Sequence, residues 1–249
     1  MTYDDFIELI WGGGLVLNDL TAATFLYEHT STALLETLTK TKLVEPQKIL
    51  EFRINLGRFS GAKTFHEAKL LTDMVYKDGK KKPFNEFKKE AEMVDNLYNK
   101  NWLKTEMSYV FGQGNNAQEY ITAQEQKEYL PYLQYMTVGD ERVRHSHESL
   151  NGIIRKVDDP FWHTYMPKNE WGCRCRVVQL EKGEETKAAD LIERTKEVNK
   201  EFAKNPMFAN NPALVSYIFK EKGIGKHPYF KVPLMYANSL KNNFAWPLD

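Results

Sequence analysis

The chain has 249 residues, enough to bury a sizeable core without disulfides or metal, and its 42% hydrophobic and 13% aromatic content excludes a disordered tail. Thirty-four basic residues balance 34 acidic ones, so no net field draws the chain to nucleic acid or anionic lipid, and any DNA contact has to come from a local patch. No window approaches the roughly 18 uninterrupted apolar residues that a membrane helix requires.

The start lacks the basic, apolar and small-residue succession of a signal peptide, so the expected location is the cytoplasm unless the product is packaged. Helical spacing is expected over the first sixty or so residues, where Leu20, Phe25, Leu34, Leu35 and Leu38 share an apolar surface after an opening turn at Gly12, Gly13 and Gly14. That glycine run follows no strand and lacks a phosphate-binding lysine at the right offset, so it reads as a turn.

A turn over residues 77–83 precedes the most regular segment. Asn85 can cap a helix with Glu86 in its first turn; Phe87, Ala91, Val94, Tyr98 and Trp102 form one face, and Lys88, Lys89, Glu90 and Glu92 the other. Gly112 and Gly114 are expected to end it, and a second helix to run from Asn116 to Pro131, making a helical hairpin.

After Pro131 the alternation of Tyr132, Leu133, Tyr135, Met136 and Val138 reads as a strand, with further strands at 153–157 and 173–180. Helical spacing returns over 184–204 through Ala188, Leu191, Val198 and Phe202 and stops at Asn205 and Pro206. Residues 207–249, rich in Asn, Pro and aromatics, are expected to lie extended over a partner surface and to order on assembly. The expected class is α+β: a mainly helical N-terminal region (1–83), a domain of helical hairpin and small antiparallel sheet (84–181), and a C-terminal helix with an extended tail (182–249).

Polar and ligand chemistry concentrates between Gly139 and Leu180. This stretch holds Asp140, Arg142 and His147, then Leu150 and Gly152, then Asp159, Pro160, Phe161 and Trp162, then Pro167, Asn169 and Trp171, and finally Cys173, Arg174 and Cys175. In that order and spacing the segment resembles the signature region of the phage Mu protein F-like head morphogenesis family. Asn101, Trp102, Leu103, Thr105 and Glu106 extend the resemblance, which covers residues 84–180, and His227, Pro228, Tyr229 and Phe230 are similar to the segment that comes after the domain in some members.

The resemblance implies a minor head protein of a tailed phage or prophage, acting near the portal and assisting DNA packaging or ejection. Its implied partners are the portal and major capsid proteins, with no membrane and no small-molecule substrate, and its implied place is the virion head, reached from the host cytoplasm. The rival is a phage-delivered effector or nuclease that uses the same domain as a packaging address; such a fusion normally adds a separate toxin domain.

Cys173 and Cys175 are too close in sequence for an unstrained disulfide, which fits a reducing compartment. Residues two apart on a strand share a face, so they present two thiols together while Arg174 faces away. Two thiols and an imidazole suit zinc. His147 stands before the turn at Gly152, where some relatives carry a cysteine, and Asp140, His145 and His163 are candidates for a fourth ligand. Relatives also place a cysteine at the position of Arg144 and a histidine near Asn169 and Glu170, departures that count against a complete site. The alternative is two cysteines filling the core beside a hydrogen-bonded histidine.

Asp140, Arg142, His145 and His147 are also residue types of a nuclease or phosphotransfer site. No H-x-E or H-E-x-x-H spacing accompanies the cysteines, so no enzyme is expected, and Asp140 and Arg142 are read as a pair that holds the turn. For DNA the candidates are Lys80, Lys81 and Lys82 with Arg142, Arg144 and Arg155, too short a set for the several simultaneous phosphate contacts that affinity needs. Phe161, Trp162, Tyr165 and Trp171 read as core or as a docking patch.

Overall fold

A computed structural model of the chain describes residues 1–236 together with Leu240, Asn243 and Phe244. In chain order it forms α1 (Tyr3–Trp11), α2 (Thr24–Thr39), α3 (Pro46–Met74), the hairpin strands β1 (Tyr76–Lys77) and β2 (Lys80–Lys81), α4 (Phe84–Asp95), a π-helical stretch (Asn96–Trp102) and α5 (Leu103–Gln126). Next come β3 (Tyr132–Met136), α6 (His145–Glu148), β4 (Ile154–Lys156), α7 (Phe161–Tyr165), β5 (Arg176–Leu180) and α8 (Ala188–Lys204). The class is α+β, as expected. The chain divides into two compact units, the first made of Met1–Glu36, Arg53–Met107 and the described part of His227–Asp249, the second of Thr37–Phe52 and Ser108–Lys226.

In the first unit α1 precedes the glycine turn that was expected to open the helical region. Thr2 Oγ1 accepts from Asp5 N while the Asp5 carboxylate accepts from Thr2 N, a reciprocal cap that starts the helix at Tyr3. Phe6, Ile7 and Ile10 of α1 bury with Leu20, Phe65, Leu71, Phe87 and Ala91. Between β1 and β2, Asp78 (φ 50°) and Gly79 (φ 75°) take the left-handed conformations that a two-residue hairpin turn requires. Asn85 is not the cap of α4: the helix begins at Phe84, and the carbonyl of Pro83 accepts from both Glu86 N and Phe87 N. Phe87, Ala91, Val94 and Tyr98 are buried as the spacing predicts, whereas Trp102 is exposed, because the wider π turn shifts the phase of the apolar face.

Beneath these helices lies a buried polar network. Lys63 Nζ stands 2.6 Å from Glu106 Oε2, and Asn99 Nδ2 donates to Glu67 Oε1 at 2.9 Å and to Asp95 Oδ1 at 3.0 Å. Burial pushes the Glu67 carboxyl up from 4.5 to about 8. The unfolded chain ionises this group at lower pH than the folded one, so its contribution is fully present below about 4.5 and is lost as pH rises through about 8. Glu67→Gln keeps the carbonyl that accepts from Asn99. It should flatten this slope and exceed the parent in stability at pH 8 by about 1–3 kcal/mol. Urea unfolding at pH 5 and pH 8 reads the difference, and equal slopes in parent and variant would refute the assignment.

In the second unit a three-stranded antiparallel sheet has the order β4-β3-β5, with Tyr132 opposite Lys156 on one side and Leu180 on the other. The expected helical hairpin does not form, because α5 runs unbroken through Gly112 and Gly114. These glycines serve close packing: a Cβ at Gly112 would lie 2.7 Å from the Lys168 side chain, and one at Gly114 2.7 Å from Thr41. Val138 is exposed beyond the end of β3, and α6 and α7 are short helices that the alternation pattern did not indicate.

After α8, stopped at Asn205 as expected, the described chain carries three-residue 3₁₀ turns at Pro206–Phe208, Pro228–Phe230 and Leu234–Tyr236. It is nonetheless packed. Phe208 and Phe219 join Tyr109 and Trp171 in a ring cluster of the second unit, with Phe208 and Trp171 centroids 5.4 Å apart. In the first unit, His227 and Tyr229 lie against Phe59, at 5.0 and 5.5 Å. Residues 237–239, 241, 242 and 245–249 of the expected tail lie outside the described residues.

Candidate functional site

The chain leaves β3 through Gly139 (φ 72°), makes α6 and returns through Gly152 (φ 82°), whose N–H donates to the Tyr135 carbonyl at 2.7 Å. Asn151 Oδ1 accepts from Thr137 N at 2.9 Å and closes the same turn. A side chain at Gly152 would be strained by its left-handed backbone, which explains the glycine of the signature. The return fixes α6 at the end of the sheet and turns His147 inward, where it is 1% exposed.

Asp159 organises the next signature segment. One carboxylate oxygen accepts from Phe161 N at 2.8 Å and so starts α7, while the other is held by Arg155, Nε donating at 2.9 Å. Pro160 suits the first turn, where no backbone donor is needed. Trp162 is fully buried, and its Nε1 donates to the Lys156 carbonyl at 2.9 Å, tying α7 to the end of β4.

Pro167 is buried, and its carbonyl accepts from Asn116 Nδ2 of α5. Asn169 Oδ1 accepts from the Tyr135 hydroxyl at 3.0 Å and its Nδ2 donates to the Met166 carbonyl at 2.9 Å. Lys168 Nζ donates to the Cys175 carbonyl at 2.9 Å. These contacts lead into Trp171 and a left-handed turn at Gly172 (φ 67°). The expected strand at 173–180 begins only at Arg176, paired with Met136, the last residue of β3; residues 173–175 lie beyond the end of the ladder. They still alternate, with Cys173 and Cys175 buried and Arg174 exposed.

His147, Cys173 and Cys175 converge. Their donor atoms all lie within 4.8 Å of one another, with Cys175 Sγ 3.9 Å from His147 Nδ1. The Cys175 thiol and the His147 imidazole both draw the Cys173 thiol down, while the opposite charge preference of that neighbour and burial push Cys175 up. Of the fourth-ligand candidates, none joins this group among the described residues. Asp140 is engaged by Arg174 through two hydrogen bonds of 2.7 and 2.6 Å, His145 is exposed with Nδ1 3.9 Å from Glu148, and His163 is exposed on α7.

The closest ion pair of Asp140 is therefore with Arg174 and not with Arg142, whose Nη2 stands 3.8 Å away. Sequence reasoning missed Glu201 on α8. Its Oε1 accepts from Ser146 Oγ at 2.8 Å, and its Oε2 stands 3.8 Å from His147 Nε2. No spacing rule links it to His147, more than fifty residues earlier; the only signal was a carboxylate in a helix otherwise ruled by its apolar spacing.

The basic candidates for DNA are largely engaged internally. Lys81 lies over the Trp11 ring at 3.8 Å, Lys82 pairs with Glu90, Arg155 with Asp159 and Glu185, and Arg144 donates to the Trp171 carbonyl at 2.8 Å. The acid, arginine and two histidines weighed as a nuclease set are divided between the exposed turn and the buried thiol cluster.

Residues 69–178 match the family model described as Phage Mu protein F like protein. Over 65 residues the chain is 46% identical to the Mu-like prophage FluMu F protein of Haemophilus influenzae, a stretch that makes up 26% of this chain and 16% of that protein. Over 70 residues it is 43% identical to the putative capsid assembly protein F of Escherichia phage Mu, covering 28% of this chain and 15% of that protein. The matched segment thus spans about a sixth of the length of either relative. No solved structure matches. No helix among the described residues is long and apolar enough to cross a membrane.

Proposed function

From the match of residues 69–178 to the model described as Phage Mu protein F like protein, we propose that the chain is a member of that family and a minor head protein of a tailed phage or prophage. The observation that carries this is the likeness to a protein named for capsid assembly, together with a family match over residues 69–178, which include the thiol cluster and most of the sheet. The chain acts in head morphogenesis by docking on the portal or on the inner capsid surface. Met93, Leu97 and Trp102 stand exposed along α4 and the π stretch, apolar surface of the kind that protein partners cover. Balanced charge and internally paired basic residues favour a protein partner over DNA.

Co-expression of the full chain with the portal protein of the same phage, and separately with its major capsid protein, tests the docking. The expected result is co-elution with portal assemblies on size-exclusion chromatography at physiological salt. Elution of the chain as a free species in both mixtures would contradict the proposal.

A further inference from the structure

Two thiols and an imidazole buried at the end of the sheet leave polar atoms that packing alone does not satisfy. Nε2 of His147 and Oε2 of Glu201 are both buried without a hydrogen-bond partner among the described residues, and they face each other at 3.8 Å. The opposite ring nitrogen, Nδ1, faces the Cys175 sulfur at 3.9 Å. A histidine that uses Nδ1 as an electron-pair donor must carry its proton on Nε2, and that proton points toward Glu201. A carboxylate behind a histidine in this way is the usual outer partner of a metal-bound imidazole.

The donor distances fit a zinc ion. Tetrahedral zinc with bonds of about 2.3 Å to sulfur and about 2.0–2.1 Å to nitrogen sets its ligands about 3.8 Å apart for two sulfurs and about 3.6 Å for sulfur and nitrogen. The Cys175–His147 separation of 3.9 Å is within a few tenths of an ångström of that edge, and all three donors lie within 4.8 Å. The donors also border a hollow lined by Val138, Arg142, Val143, Arg144 and Arg174. That side holds no fourth protein donor among the described residues.

We propose that His147, Cys173 and Cys175 bind one zinc ion, that Glu201 holds the imidazole in the tautomer that binds, and that water from the hollow fills the fourth position. Binding displaces the thiol protons to solvent and leaves two thiolates and a neutral imidazole on the metal. The ion then joins α6 to the approach of β5, and Glu201 of α8 acts as a positioning residue. The site is independent of the head-protein reading, since its chemistry is complete within this chain.

The test uses the full chain purified without added zinc. Elemental analysis should give close to one zinc per chain, and X-ray absorption should give a shell of two sulfurs and two nitrogen or oxygen atoms. The chain stripped by chelator should regain one equivalent on titration with zinc alone. Glu201→Gln, which keeps the acceptor for Ser146, should retain the fold by circular dichroism and bind zinc about 10–100-fold more weakly. Metal well below one equivalent, with no uptake by the stripped chain, would overturn the site. A shell without sulfur would overturn the ligand set, and unchanged affinity in Glu201→Gln would overturn the role of Glu201.

Discussion

Lys63→Met should destabilise the protein by about 3–5 kcal/mol, the cost of leaving one charge of a buried pair without its partner. Lys63 is 1% exposed and Glu106 4%, and their 2.6 Å contact runs between α3 and α5 within the first unit. Burial lowers the Lys63 ammonium and raises the Glu106 carboxyl, so each is disfavoured as an ion, and the contact between them offsets that cost. Removing the ammonium leaves the Glu106 carboxylate buried without its counter-charge, and also takes from Glu67 the cation that favours its ionised form. The double replacement Lys63→Met with Glu106→Leu removes both charges and should recover most of the loss, because an apolar pair of similar volume needs no compensation. Urea midpoints of the two single variants and the double one, at constant m-value, form the measurement. Singles within 1 kcal/mol of the parent would show that the pair is solvated in solution.

Trp162→Ala should cost about 3–5 kcal/mol, from the lost burial and the cavity left behind. Its indole is fully buried between Phe161, at 4.9 Å edge to face, and the end of β4, and its Nε1 bonds the Lys156 carbonyl. The deletion therefore also leaves that carbonyl without its donor. Trp162→Phe retains most of the apolar volume and should lose less than half as much. The same unfolding experiment distinguishes them, and equal losses in the two variants would assign the effect to the hydrogen bond alone.

The fold class was legible because period-two and period-3.6 spacing survive in β3, α4 and α8, where one face is buried and the other is not. The helix break expected at Gly112 and Gly114 does not form, for a physical reason. Gly112 and Gly114 look like helix stops in a single sequence, but their role is to let Lys168 and Thr41 approach the helix, a tertiary contact that no local rule contains. The π stretch at Asn96–Trp102 was likewise invisible, since it changes the phase of the face by one residue and leaves the composition unaltered. Of the candidate site, Cys173 and Cys175 were paired by their spacing and His147 was joined to them through the family resemblance, and the structure places the three donors together. Glu201 was out of reach, because only the packing of α8 on α6 brings it to His147. Asp140 was assigned to Arg142 because they are neighbours in sequence, while the guanidinium with the better two-bond geometry, Arg174, arrives from across the turn.

Quantitative mass spectrometry of purified procapsids and finished particles, from the phage or induced prophage that encodes this chain, tests the head-protein account most directly, with the portal protein as internal standard. The account predicts the chain at a low, fixed ratio to the portal in procapsids, and either the same ratio or a defined loss in finished particles. Absence from both would contradict it.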